Sequence, residues 1–238
     1  MIMPVIRASF GRNEALHLVE LVGRNDPELR EAARQRLEDG GLDDLLDDPR
    51  VLNALLTDDQ VKSRPEIFFY VLVRQSMLER GVEDPVAADY VASMLVGFGR
   101  NRRAYRISAG REEEYGYLVD LMARLRSAGG RESFLLRMHM GNFSLWLSGL
   151  FPDYLESRVR RRGGPPISYY EQVGTSGYLM AADSPEAATL GLEGSLRALA
   201  EHFSRVRGAL NRISDRHLWQ GSGDPVERLL REVTYAVE

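Results

Sequence analysis

The sequence predicts an all-α protein, a multi-helix bundle of about ten helices with at most one very short β pair. Three observations carry that prediction. Asp26-Pro27, Asp48-Pro49, Asp84-Pro85, Ser184-Pro185 and Asp224-Pro225 each set a capping side chain before a proline at the first helical position. Gly23, Gly40-Gly41, Gly81 and Gly129-Gly130 stand where helices would end. The two-residue alternation of a strand is nearly absent, and only "PVIRASF" (4–10) and "AYRIS" (104–108) offer a short pair.

Taken in order, the first helices are expected at 13–22, 27–38 and 49–57, the second and third opened by Asp-Pro and the first two closed by glycine. Acids dominate from Asp26 to Gln60, so residues 1–60 read as an acidic helical subdomain packed on a main helical domain at 61–238. The segment 65–80 is apolar on every side from Ile67 to Val73, and 85–97 follows after a loop that permits only an antiparallel partner. A helix apolar all round lies in the middle of its domain. Further helices are expected at 112–127, 131–150, 152–162 and 168–182, with "RRRGGPP" (160–166) as an exposed loop. The last two are expected at 185–214 and 224–236.

The 185–214 segment carries the most regular pattern. Leu192, Leu196, Leu199, Phe203, Val206, Leu210 and Ile213 alternate in steps of four and three, a heptad seam. Opposite run Glu193, Arg197, Glu201 and Arg205 with alternating sign. The seam faces either another helix of the same chain or the same helix of a second subunit, and the expectation leans towards a homodimer.

Composition sets the classes that remain open. The chain has 238 residues, 44% hydrophobic and 28% charged, the balance of a globular protein with a substantial core. It has no cysteine, which excludes disulfides, thiolate metal sites and a cysteine nucleophile. No uninterrupted apolar run of about 18 residues is present, so no membrane contact is expected. The start lacks the basic and apolar layout of a signal peptide, and the expected location is the cytoplasm.

Two places hold side chains capable of chemistry. In the helix at 131–150, Gly141, Ser144 and Ser148 form a stripe of small residues that admits another helix closely, and His139, Asn142, Trp146 and Gly149 form a second stripe roughly opposite. His139 and Asn142, three apart, pair either as a base with its orienting group or as a polar couple satisfied inside the core. The core reading is preferred, because HExxH is absent and His17, His202 and His217 sit on separate expected helices; no metal or cofactor is expected. The second place is "SYYEQVGTSGYL" (168–179), where Tyr169, Tyr170 and Glu171 offer two hydroxyls and one acid. Together with His139 and Asn142 they are the candidates for a ligand pocket. No G-x-S-x-G elbow is present, and the glycines here follow no phosphate-loop spacing.

Charge is less evenly spread than the net −4 suggests. Arg100, Arg102, Arg103 and Arg106 form one acid-free cluster, and Arg158, Arg160, Arg161 and Arg162 a second. They are the candidate anion-binding residues, but with a pI near 5.7 and no reader motif nucleic acid is disfavoured as a partner. The reading that follows is a non-catalytic, cytoplasmic helical protein acting through protein–protein association, in a regulatory or scaffolding role. The alternatives are an enzyme or small-ligand binder at the His139–Glu171 candidates and an anion or nucleic-acid binder at the arginines.

Overall fold

The computed structural model describes residues 1–57, 65–99 and 118–218. Within them are thirteen α-helices and no strand. They are α1 (Ile6–Ser9), α2 (Arg12–Val22), α3 (Pro27–Leu46), α4 (Pro49–Thr57), α5 (Pro65–Leu78), α6 (Pro85–Gly99), α7 (Leu118–Leu125), α8 (Gly130–Leu150), α9 (Pro152–Arg162), α10 (Ile167–Ala182), α11 (Pro185–Thr189), α12 (Glu193–Glu201) and α13 (Phe203–Ile213), and a π-helical turn follows at Ser214–Leu218.

The capping prolines act as the sequence implies. The Asp26 carboxylate accepts from the amides of Glu28 and Leu29, Asp84 from those of Val86 and Ala87, and Asp48 from that of Arg50. Inside α3 the helix breaks at Gly41, whose φ of 77° is open to glycine at no steric cost. The expected boundary near 38–41 is therefore a kink, and a further turn runs on to Leu46.

Two expectations need correction. The "PVIRASF" stretch is not a strand: Ile6–Ser9 is one turn of helix, because the carboxylate of Asp89 receives the Ile6 and Arg7 amides at 3.0 and 3.1 Å and so starts a helix. The "AYRIS" stretch lies outside the described residues, as do 58–64, the first cluster of arginines and the expected helix at 224–236. Nor is 185–214 one helix. It is broken at Gly191, with φ 67°, and again at His202, which caps α12 and opens α13.

Those breaks turn the seam inward. All seven seam residues are at most 2% exposed within a single chain. α12 packs on α10 and α6, and α13 on α8 and α5, so of the two settings left open for the stripe it is the chain's own helices that cover it.

α8 is the axis of the bundle, with α10 and α13 against it and α5 and α6 alongside. The small-residue stripe sets the α8–α10 distance. A Cβ added at Gly177 would lie 2.9 Å from both the Arg137 carbonyl oxygen and the Gly141 nitrogen, and one at Gly141 would lie 2.5 Å from the Tyr178 ring. At an unobstructed helical site alanine is better than glycine by about 1 kcal/mol. Here the obstructing atoms are backbone of a second helix, so overpacking prevails, and Gly177→Ala should lower stability by about 1–3 kcal/mol in chemical denaturation. Gly97→Ala is the control, since its methyl would meet only Ile2 at 3.8 Å and should be neutral or mildly stabilising. Equal effects at the two sites would contradict the close crossing.

The N-terminal helices are tied to this body by polar bonds. The Arg74 guanidinium, 6% exposed, grips Asp47 through two bonds of 2.7 and 2.6 Å and also donates to the Glu83 carbonyl. Gln75 donates to the Leu46 carbonyl at 2.9 Å, and Arg7 makes a two-pronged pair with Asp43. A single apolar cluster runs from Ile6 through α2–α6 to Ile213.

These carboxylates set the acid response, with opposing signs. The hydrogen bonds from Arg7 hold the Asp43 carboxyl below its ordinary range, against a burial that acts upward. At Asp48 burial also acts upward, but the side-chain and amide hydrogen bonds from Arg50 outweigh it and the net shift is down. Both contribute stability that is present above the unfolded pKa of about 3.9 and lost as pH falls. Asp89 is the reverse: burial raises its pKa despite donors from Ile6, Arg7 and Ser93, so its contribution improves as pH falls through the folded value. Thermal melts from neutral pH downward should show Asp43→Asn losing less stability than wild type below about pH 4. Asp89→Asn should remove the opposing gain. An Asp43→Asn acid limb identical to wild type would show that the Arg7 pair contributes nothing.

Candidate functional site

His139 and Asn142 sit on α8 in the centre of the core, 4% and 2% exposed. Asn142 turns to two tyrosines: its Oδ1 accepts from the Tyr178 hydroxyl at 2.9 Å and from the Tyr90 hydroxyl at 3.1 Å. Burial pushes both phenols above their ordinary pKa, so they remain neutral donors. The His139 ring packs against Phe98 (5.9 Å between centroids) and Phe143 (6.2 Å). This is an aromatic and amide interior joining α6, α8 and α10. Asn142 is satisfied there through two tyrosines, whereas the buried Ser144 hydroxyl on the same helix makes no hydrogen bond within the described residues.

Tyr169, Tyr170 and Glu171 lie elsewhere. Asn142 meets α10 at Tyr178, seven residues beyond Glu171, which is about 10 Å along a helix. The structure therefore does not bring the five candidates into one pocket. The Tyr169 hydroxyl rests on the Met122 sulfur at 3.9 Å, and its ring meets that of Tyr170 edge-on at 5.6 Å. Glu171 is taken up by Arg207 at 2.6 Å, Arg207 donates on to Asn211 Oδ1 at 2.7 Å, and Asn211 Nδ2 donates to the Ser148 and Gly149 carbonyls. The Ser214 hydroxyl donates to the Leu150 carbonyl at 2.7 Å. Glu171 is thus the outer end of a relay that closes the C-terminal turn of α8, whose last carbonyls would otherwise be orphaned.

Of the arginine candidates, Arg100, Arg102, Arg103 and Arg106 lie outside the described residues. Arg158, Arg160, Arg161 and Arg162 occupy the last turns of α9, where cations complement the helix dipole. The Arg158 guanidinium lies 5.7 Å from the centroid of the Tyr154 ring, and Arg160, Arg161 and Arg162 are exposed. The expected loop at 160–166 begins only at Gly163, because the arginines continue the helix.

A surface feature that the sequence reading missed lies at the other end of the chain. Between the start of α2 and the middle of α3 is an open cleft of about 650 Å³. Its floor is Phe10, Ala15, Leu16, Leu37 and Leu42, and its rim is Arg12, Arg34 and Glu38. Leu16 is 42% exposed, a large apolar side chain held in water. A smaller cleft of about 540 Å³ lies between the end of α2, the start of α3 and α4, lined among others by Leu29, Arg50 and Asn53. The signal was present: 15–22 has more apolar positions than one buried stripe needs, and Leu16 is the one left over.

Among the described residues no three His, Asp or Glu side chains converge as a metal site, and no helix is long and apolar enough to cross a membrane. No known protein family, curated protein or solved structure matches the chain.

Proposed function

We propose that the protein acts by binding another protein, in a regulatory or scaffolding role, and that it does so at the α2–α3 cleft rather than through catalysis. The observation that carries this reading is the composition of the cleft. An apolar floor with a charged rim, on the outside of the bundle, is the surface that receives an amphipathic helix. The exposed Leu16 stands in this concavity beside the half-buried Phe10, Leu37 and Leu42, and an apolar concavity marks an interaction site more than a scattered apolar residue does. A cytoplasmic location suits a chain that has no cysteine to oxidise.

The small-ligand alternative is weakened by the separation of its candidate residues. Weak, salt-sensitive anion binding by α9 remains compatible with the association reading and is distinguished by its loss at physiological ionic strength.

The test is site-directed photo-crosslinking in the native host. A photoreactive residue at Leu16 should give a discrete protein adduct that is lost when Leu37 is changed to glutamate. The same probe at Leu179, equally exposed at 41% but on α10, should not give that adduct. No adduct at position 16, or the same adduct at both positions, would overturn the assignment of the cleft.

A further inference from the structure

The rim of the α2–α3 cleft favours one kind of occupant. Arg12 stands on the α2 wall and Arg34 on the α3 wall, with Glu38 the one rim acid. Among the described residues Arg12 has no ion pair, and Arg34 has only Glu20, at 3.9 Å. Glu14, at the start of α2, is turned back onto the Gly11 amide at 2.9 Å. Two arginines against one glutamate leave the rim cationic. The two walls therefore suit a helix that carries an acid on either side of its apolar stripe.

That pattern stands in the chain's own sequence. The expected helix at 224–236 lies outside the described residues, but on a helical period Val226, Leu229, Leu230 and Val233 fall within one stripe. Glu227 borders the stripe on one side and Glu232 on the other, while Arg228 and Arg231 fall opposite it. The segment is also within reach. Arg212 and Arg216 meet Glu79, just past the end of α5, at 2.8 and 3.9 Å, which sets the last described residues there. Phe10, on the cleft floor, packs edge-on against Tyr70 of α5 at 5.7 Å between centroids. Tyr70 and Glu79 are nine residues apart, about 14 Å along a helix, and the seven residues 219–225 can span about 23 Å.

We propose that residues 224–236 lie in the α2–α3 cleft of their own molecule, with the apolar stripe on Leu16 and Leu37 and the two glutamates towards Arg12 and Arg34. This rests on the cleft being an association surface and adds its regulation: another protein reaches the cleft only by displacing the chain's own helix. Tethering favours the same molecule over a second copy, because a short linker holds the segment at an effective concentration on the order of 1 mM.

The lack of cysteine makes the test direct, since Leu16→Cys with Val233→Cys introduces the only two thiols. In the dilute full chain under mild oxidation they should form a disulfide within the monomer, about ten times faster than the pair Leu179→Cys and Val233→Cys. Leu179 is as exposed as Leu16, at 41% against 42%, but lies on α10. Leu229→Glu with Leu230→Glu should bring the 16–233 rate down to that of the 179–233 pair. In the native host the same two glutamates should raise the photo-adduct of another protein at position 16 several-fold. Equal rates for the two cysteine pairs overturn the proposal. A disulfide that forms only between molecules also overturns it, and assigns the cleft to a second copy. A photo-adduct at position 16 that the two glutamates leave unchanged overturns it while the cleft reading stands. No adduct at position 16, even with the glutamates, overturns the cleft reading as well.

Discussion

Leu199→Glu combined with Leu210→Glu should give a chain that does not fold, read as loss of helical circular dichroism and of a cooperative melt. Both leucines are at most 1% exposed, Leu199 on α12 facing α10 and α6, Leu210 on α13 facing α8 and α5. Each loses a burial worth about 1.5–3 kcal/mol. Each also forces a carboxylate into an apolar site, where it must either stay protonated or open the packing. Against a total stability of about 5–15 kcal/mol the pair exceeds what a bundle of this size tolerates. A folded monomer from this double variant would instead show that the stripe is an outer surface between subunits.

Asn142→Ala should cost about 3–5 kcal/mol in chemical denaturation, the sum of two stranded hydroxyls at about 1–3 kcal/mol each and a small cavity. Its Oδ1 serves the hydroxyls of both Tyr90 and Tyr178, each fully buried. Tyr90→Phe alone should cost only about 1 kcal/mol, because Asn142 keeps its second donor. Adding Tyr90→Phe and Tyr178→Phe to the Asn142→Ala background should recover part of the loss, since no buried hydroxyl then lacks an acceptor. A loss under about 1 kcal/mol for Asn142→Ala would mean that the tyrosines find water.

The sequence carried the local signals well. Asp26, Asp48 and Asp84 cap as their prolines imply, and the stripe of Gly141, Ser144 and Ser148 does admit α10. Ser184 does not cap, because its hydroxyl donates back to the Ala181 carbonyl at 2.6 Å. What could not be read was anything set by distant parts of the chain. Asn142 and His139 are three residues apart, yet the partners of Asn142 come from 52 and 36 residues away. The heptad pattern of 192–213 survives the helix break at His202 because inward-facing positions keep their spacing when the backbone bends around one core. Periodicity therefore identified the buried face correctly but not the helix that bears it. Glu171 looked like an acid in reserve, and only the approach of α13 shows it spent on Arg207. The cleft escaped for a related reason: an exposed Leu16 acquires meaning only beside Leu37 of another helix.

The central claim is that the interior polar residues hold the core while the outer surface does the binding. Native mass spectrometry of the freshly purified full chain, sprayed from low ionic strength, tests it most directly. The result predicted is the mass of the bare polypeptide with no small adduct. A stoichiometric small-molecule or metal adduct on the monomer, absent when His139 is replaced by glutamine, would contradict it and return the function to the centre of the bundle.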